Sequence, residues 1–284
     1  MPNALRLMPY ALVLSSCSLI QPPTTIPSYI RVQSCTVTAT PSQGTASSNV
    51  TDVWVDDNSN YIGIFQIPVS VPILQTGPNT ISLQAVVEED GIASELLPYP
   101  FYTTYTKNVN LQPGKLDTIN PVFGYTSITN FGWTAGDFES SDNVLKTKAP
   151  NTANTLITNI KDSVFGGLRS FEVDLSAGHD TFNALSFFPF TAPASYVVWL
   201  EMNYKTDVPM DIGVNMIDPA GALTSPPAEF VSGVNPTSKW KKVYINLGPA
   251  LQYYNQYQDF YIYFYAQASG NAHIFIDNLK LLYL

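Results

Sequence analysis

Phe260-Tyr261-Ile262-Tyr263-Phe264-Tyr265-Ala266-Gln267 alternates an apolar side chain with a tyrosine and, at its end, a glutamine, so one of its faces is oily and the other amphipathic. A period of two over such a run is that of a β-strand buried on one side. Five further segments alternate in the same way: Phe171 to Leu175, Tyr196 to Tyr204, Met210 to Asp218, Trp240 to Leu247 and Ala272 to Leu284. Turn clusters separate them, and no helical period runs for long between them. With 22 Pro and 12% charged residues in 284, the chain has apolar material for two modest cores and too much proline for a helical protein. Residues 130–284 therefore read as a jelly-roll β-sandwich, and the whole chain as all-β.

Parity along these strands assigns their faces. One set is Phe171, Val173, Leu175, Ile212, Val214, Met216, Val243, Ile245, Leu247, Phe260, Ile262, Phe264, Ile274 and Ile276, a plain sandwich core. The other carries Glu172, Asp174, Asp211, Asn215, Tyr244, Asn246, Tyr261, Tyr263 and Tyr265, with Trp199, Glu201 and Asn203 on a further strand whose inward face parity alone leaves open. Flat aromatics beside carboxylates and amides suit a sugar, whose C–H face stacks on a ring while its hydroxyls take hydrogen bonds. The candidate ligand-binding residues are Trp199, Glu201, Asn203, Tyr244, Asn246, Tyr261, Tyr263 and Tyr265. Three readings stay open: a glycan platform, a protein contact face, or solvated tyrosines that serve only cross-strand packing. Strands of one jelly roll belong to two sheets, so these residues need not share one surface.

Upstream, Thr51 to Asp56 and Thr80 to Val87 alternate with period two around the turn clusters Asp57-Asn58-Ser59-Asn60 and Glu89-Asp90-Gly91, which predicts a small antiparallel sandwich over residues 30–115. Gln112-Pro113-Gly114 and Asn120-Pro121 are breakers that mark a linker over 116–129. At the start, Arg6 and the apolar run Leu7 to Leu14 are too short to span a bilayer and read as a signal-peptide core over residues 1–16. Residues 17–29, rich in Pro and Thr, read as a tether.

Leu14-Ser15-Ser16-Cys17 resembles the lipobox of bacterial lipoproteins. The resemblance implies acylation of Cys17, anchoring by lipid and, with Ser18 following, the outer membrane. Cys35 then has no disulfide partner and reads as a small buried residue. Val53 to Asp56, Tyr61 to Phe65, Pro68 to Pro72 and Gly77 to Leu83 resemble PEGA-type, immunoglobulin-like modules of bacterial envelope proteins. Asp117-Thr118-Ile119 is similar to the Asp-Thr-aliphatic O-glycosylation acceptor of Bacteroidota, but three residues recur often by chance and a plain linker is the preferred reading. Gly136-Asp137-Phe138-Glu139, Trp240 to Leu247 and Ile274 to Leu281 together resemble the carbohydrate-binding-module superfamily of jelly rolls. That resemblance implies glycan binding and a structural calcium held by Glu139 and Asp277; no other cofactor is expected.

A net charge of -9 with 13 Lys and Arg leaves no basic stripe for a phosphate backbone, so nucleic acid is not an expected partner. His179 and His273 stand apart, and no HExxH, GxSxG or phosphate-loop pattern occurs. Glu172, Asp174, Glu201 and Asp211 are the carboxylates whose convergence would suggest glycoside hydrolysis. The expectation is a non-catalytic envelope lipoprotein that binds a glycan. The alternative is an accessory subunit of an outer-membrane uptake or secretion complex, using the same face for protein contact.

Overall fold

The computed structural model describes residues 25–133, 136–140, 144–218, 220–223 and 228–284. The signal segment, Cys17 and most of the tether lie outside them. Ten strands build the first module: β1 (Ser28–Val32), β2 (Thr36–Thr38), β3 (Asp52–Asp57), β4 (Asn60–Gln66), β5 (Val69–Ile73), β6 (Gly77–Glu88), β7 (Leu96–Pro98), β8 (Tyr105–Leu111), β9 (Leu116–Thr118) and β10 (Val122–Gly124). One sheet has the order β4-β3-β6-β7, with β8 also on β6; the other strands form β5-β1-β9 and the pair β10-β2. Alternate residues such as Val53, Val55, Ile81, Leu83, Ile30, Val71 and Phe123 meet in a single core between them.

The expected linker is part of this sandwich. β9 runs parallel to β1, with Tyr29 opposite Leu116, and β10 runs parallel to β2, with Phe123 opposite Val37. Pro113-Gly114 and Pro121 are turns that fold the chain back onto its first strands, which a local reading takes for a boundary; Gly114 N–H reaches Pro27 O at 2.9 Å. Asp117-Thr118 accordingly sits in a strand, and Ile119 is buried. The end of the expected tether is strand as well, with Ser28 fully buried in β1. Cys35 is free and half-buried just before β2, and burial raises its thiol pKa.

The second module has twelve described strands: β11 (Asn130–Phe131), β12 (Leu145–Thr147), β13 (Asn154–Thr158), β14 (Ser170–Leu175), β15 (Thr181–Ser186), β16 (Phe190–Thr191), β17 (Val198–Thr206), β18 (Met210–Ile217), β19 (Glu229–Val234), β20 (Thr237–Asn246), β21 (Asp259–Gln267) and β22 (Ala272–Tyr283). They form two sheets, β13-β14-β22-β17-β20 and β12-β15-β21-β18-β19. All the residues that parity assigned to the sandwich core lie in one buried cluster between these sheets. The fold is a β-sandwich followed by a second, jelly-roll-like β-sandwich.

Candidate functional site

The eight candidate residues fall on opposite sides of the second module. Trp199, Glu201 and Asn203 lie on β17, and Tyr244 and Asn246 on β20, with Trp199 opposite Asn246 and Glu201 opposite Tyr244. The first module covers Trp199, Glu201 and Tyr244 on their outward face. Trp199 and Tyr244 belong to the first module's core, and the Tyr99 ring meets them edge-on at 5.4 and 4.8 Å. Asp90 N–H donates to Tyr244 O, Asn246 N–H to Asp90 Oδ1, and Asn246 Nδ2 to Glu89 Oε1, so the Glu89-Asp90-Gly91 turn docks along β20. Asn203, also buried, lines a cleft of about 340 Å³ between the modules with Asn49, Glu88 and Trp240.

Glu201 is the hub of this junction. Fully buried, it accepts from Tyr99 Oη at 2.8 Å and Tyr125 Oη at 3.0 Å, and pairs with Lys242 Nζ at 2.7 Å. Lys280 Nζ donates to Tyr125 Oη at 3.0 Å and to Thr45 O at 2.5 Å. Burial works to raise the Glu201 pKa, but the Lys242 and Lys280 charges overcome it and hold the carboxyl below its ordinary value. Burial also pushes Asp90 up to about 6, although the Asn246 N–H opposes the rise. A carboxyl raised in this way adds stability that is complete below its ordinary 3.8 and is lost as pH climbs through about 6. Asp90→Asn should therefore gain in melting temperature on the wild type between about pH 4 and pH 7. Parallel scanning calorimetry across that range checks it; a pH-independent difference would contradict the burial argument.

The tyrosine ladder lies on the other sheet. Tyr261 is opposite Asn215, Tyr263 lies between Gly213 and Leu185, and Tyr265 between Asp211 and Asn183. All three tyrosines are half-buried, and the Tyr263 and Tyr265 rings are near parallel at 6.3 Å. Gly213 brings no side chain to this face, because a Cβ there would strike Glu229 O. Alternation places Phe187 on the face beyond Leu185, and register places Phe230 there opposite Gly213; both are exposed. Lys146 Nζ lies 4.3 Å from the Tyr261 ring centroid and 5.9 Å from that of Phe187. Lys148 Nζ donates to Asn215 Oδ1 at 3.0 Å.

Asn215 and Asn183 are buried beneath this surface, and Asn215 Nδ2 and Asn183 Oδ1 have no hydrogen-bond partner. Burial raises the Asp211 pKa and lowers that of Lys148. Tyr263 is pushed up to about 12 by burial, with Asp211 and Tyr265 adding to the rise. The face thus offers ring surface, phenolic and ammonium donors, and amide and carboxylate acceptors. Sequence reading did not single out Lys146, Lys148, Asn183, Phe187 or Phe230; the alternation Leu145-Lys146-Thr147-Lys148 was the signal for the lysines.

Glu139 and Asp277 do converge, on the 165–170 loop. Asp277 Oδ2 accepts from Ser170 Oγ at 2.9 Å and Gly166 N–H at 3.2 Å, and Oδ1 from Asn278 N–H at 2.7 Å. Glu139 Oε1 accepts the N–H groups of Leu168 and Arg169 at 2.7 and 2.9 Å. Calcium takes six to eight oxygen ligands. Glu139 Oε1 and both Asp277 oxygens are already engaged by N–H and O–H groups of the chain. Both carboxylates instead clamp the loop directly. Of the four carboxylates considered for hydrolysis, Glu172 and Asp174 come together, within 4.8 Å of each other, and the other two stand apart. Glu172 and Asp174 flank His273, whose Nδ1 lies 3.9 and 2.8 Å from their oxygens; Glu201 is sealed at the junction, and Asp211 is on the other sheet.

No family model matches the chain, and no curated protein matches its sequence. Among solved structures it is similar to the family 11 carbohydrate-binding module of a cellulosomal cellulase of Clostridium thermocellum, at 14% identity and TM-score 0.35, covering 51% of this chain and 91% of that one. Carbohydrate-binding modules of the β-sandwich superfamily, described for promiscuous specificity, match at 11% identity and TM-score 0.36 over 82% of this chain and 84% of theirs. TmCBM61 in complex with β-1,4-galactotriose matches at 14% and 0.34, over 54% and 97%. At these values the likeness carries no ligand, subsite or mechanism across.

Proposed function

We propose that this chain is a non-catalytic, lipid-anchored envelope protein that binds a glycan on the outer face of β15, β21 and β18. What carries the reading is one surface: half-exposed Tyr263 and Tyr265, near parallel at 6.3 Å, on a face whose buried amides, Asn183 beside Tyr265 and Asn215 beside Tyr261, each keep an atom without a hydrogen-bond partner. Parallel rings along one strand offer stacking surface to sugar rings, and an amide buried without a partner marks a polar patch beneath them. The anchor rests on the lipobox-like Leu14-Ser15-Ser16-Cys17. The purified protein on a glycan array should retain at least one saccharide class, competed by the same saccharide in solution. A folded protein that retains nothing would overturn the reading and favour a protein partner on this aromatic face, for which exposed Phe187 and Phe230 at its margins speak.

A further inference from the structure

We infer that this platform selects anionic saccharides, seating a carboxylate or sulfate between the ammonium groups of Lys146 and Lys148 at its Tyr261–Asn215 end. The inference rests on the glycan-binding reading of the same face. Asn215 and Tyr261 are register partners on adjacent strands, so their side chains are neighbours. Lys146 Nζ lies over the Tyr261 ring at 4.3 Å, and Lys148 Nζ bonds Asn215 Oδ1 at 3.0 Å. Two like charges are thereby brought to one pair of side chains. Among the described residues, neither ammonium has a carboxylate partner: the ion pairs present involve Lys242 and His273.

The third group at this end points the same way. With Oδ1 committed to Lys148, Asn215 turns Nδ2 elsewhere, and that buried donor has no acceptor. Two ammonium groups and an unpaired amide donor thus attach to one register pair, and the complement of such a set is an oxygen-rich anion. Asp211 lies two register positions further along the ladder, opposite Tyr265, where it can accept sugar hydroxyls. The platform is therefore polar along its length, donors at one end and an acceptor at the other. The chain carries a net charge of -9, so an anion gains nothing from the long-range field and recognition must be this local.

Affinity electrophoresis or calorimetry of the full chain tests the inference with matched probes: polygalacturonate and hyaluronan beside their carboxyl-reduced forms, and dextran sulfate beside dextran. An acidic member is expected to bind about tenfold or more tighter than its neutral partner, the worth of a single charge-assisted hydrogen bond. Which pair shows the preference tells uronate from sulfate. Lys146→Gln and Lys148→Gln should each bring the ratio toward one, and added salt should erode only the acidic arm. Equal binding within every pair, or an unchanged ratio in both variants, would overturn the anionic preference while leaving glycan binding intact. Retention of no saccharide, acidic or neutral, would overturn both.

Discussion

Replacing Glu201 by leucine is expected to cost about 3–5 kcal/mol of stability, because it leaves buried cations without their counter-ion. Glu201 is fully buried, and so is the Lys242 ammonium 2.7 Å away; Tyr99 and Tyr125 lose their acceptor in the same step. Adding Lys242→Met should restore part of the stability, since a buried pair exchanged for apolar groups is often near neutral. The restoration should stop short, because Lys280 stays. Burial holds Lys280 down to about 8, and the pull of Glu201 is what keeps it from falling further. Without Glu201 its folded pKa drops. A lysine depressed in the folded state has the unfolded chain holding more protons above that pKa, so stability rises with pH from there. In the leucine variant that rise begins at lower pH than in the wild type. Denaturant titrations at several pH values would check both parts. A change under about 1 kcal/mol, typical of an exposed pair, would mean that the junction is wet.

Glu201 also explains why the candidate face is only half legible in the sequence. Alternation marks which side of a strand is apolar, and it places the core residues from Phe171 to Ile276 without error, because a one-residue slip would turn every one of them to solvent. It does not say which sheet a strand joins. β17 and β18 are consecutive, yet β17 pairs with β22 and β20 while β18 pairs with β21 and β19. Those partners are fixed by pairings far apart in sequence, so Trp199 and Tyr263 share a parity and lie on different sheets. Nor does composition distinguish a platform for sugar from one for another domain. Tyr, Trp and carboxylates suit both, since each aromatic joins an apolar body to a polar tip. Trp199, Glu201, Tyr244 and Asn246 do form a recognition surface, and what they recognise is the first module of their own chain. The linker is illegible for a related reason, since a strand of three residues such as β9 has too few positions to show a period.

Tyr263→Ala with Tyr265→Ala is expected to reduce glycan affinity by about 2–3 kcal/mol, on the order of a hundredfold, from two aromatic stacking partners removed. Stability should fall far less, because both rings are only partly buried and give up mainly their packing against each other. Trp199→Ala should do the reverse. Its indole is 4% exposed and set against Tyr99, so truncation is expected to cost about 3–5 kcal/mol of stability. Wherever the variant remains folded, affinity should hold, because Trp199 is not on the sheet that carries the tyrosines. The two substitutions separate surfaces that one sequence pattern merged, and they do so with two readouts, affinity and unfolding free energy. Were Trp199→Ala to abolish binding in folded protein while the double tyrosine variant bound normally, the ligand would belong at the module junction and the tyrosine ladder would be ordinary sheet surface. A protein that behaves as expected in both arms carries two recognition faces on one sandwich, one closed by its own first module and one open.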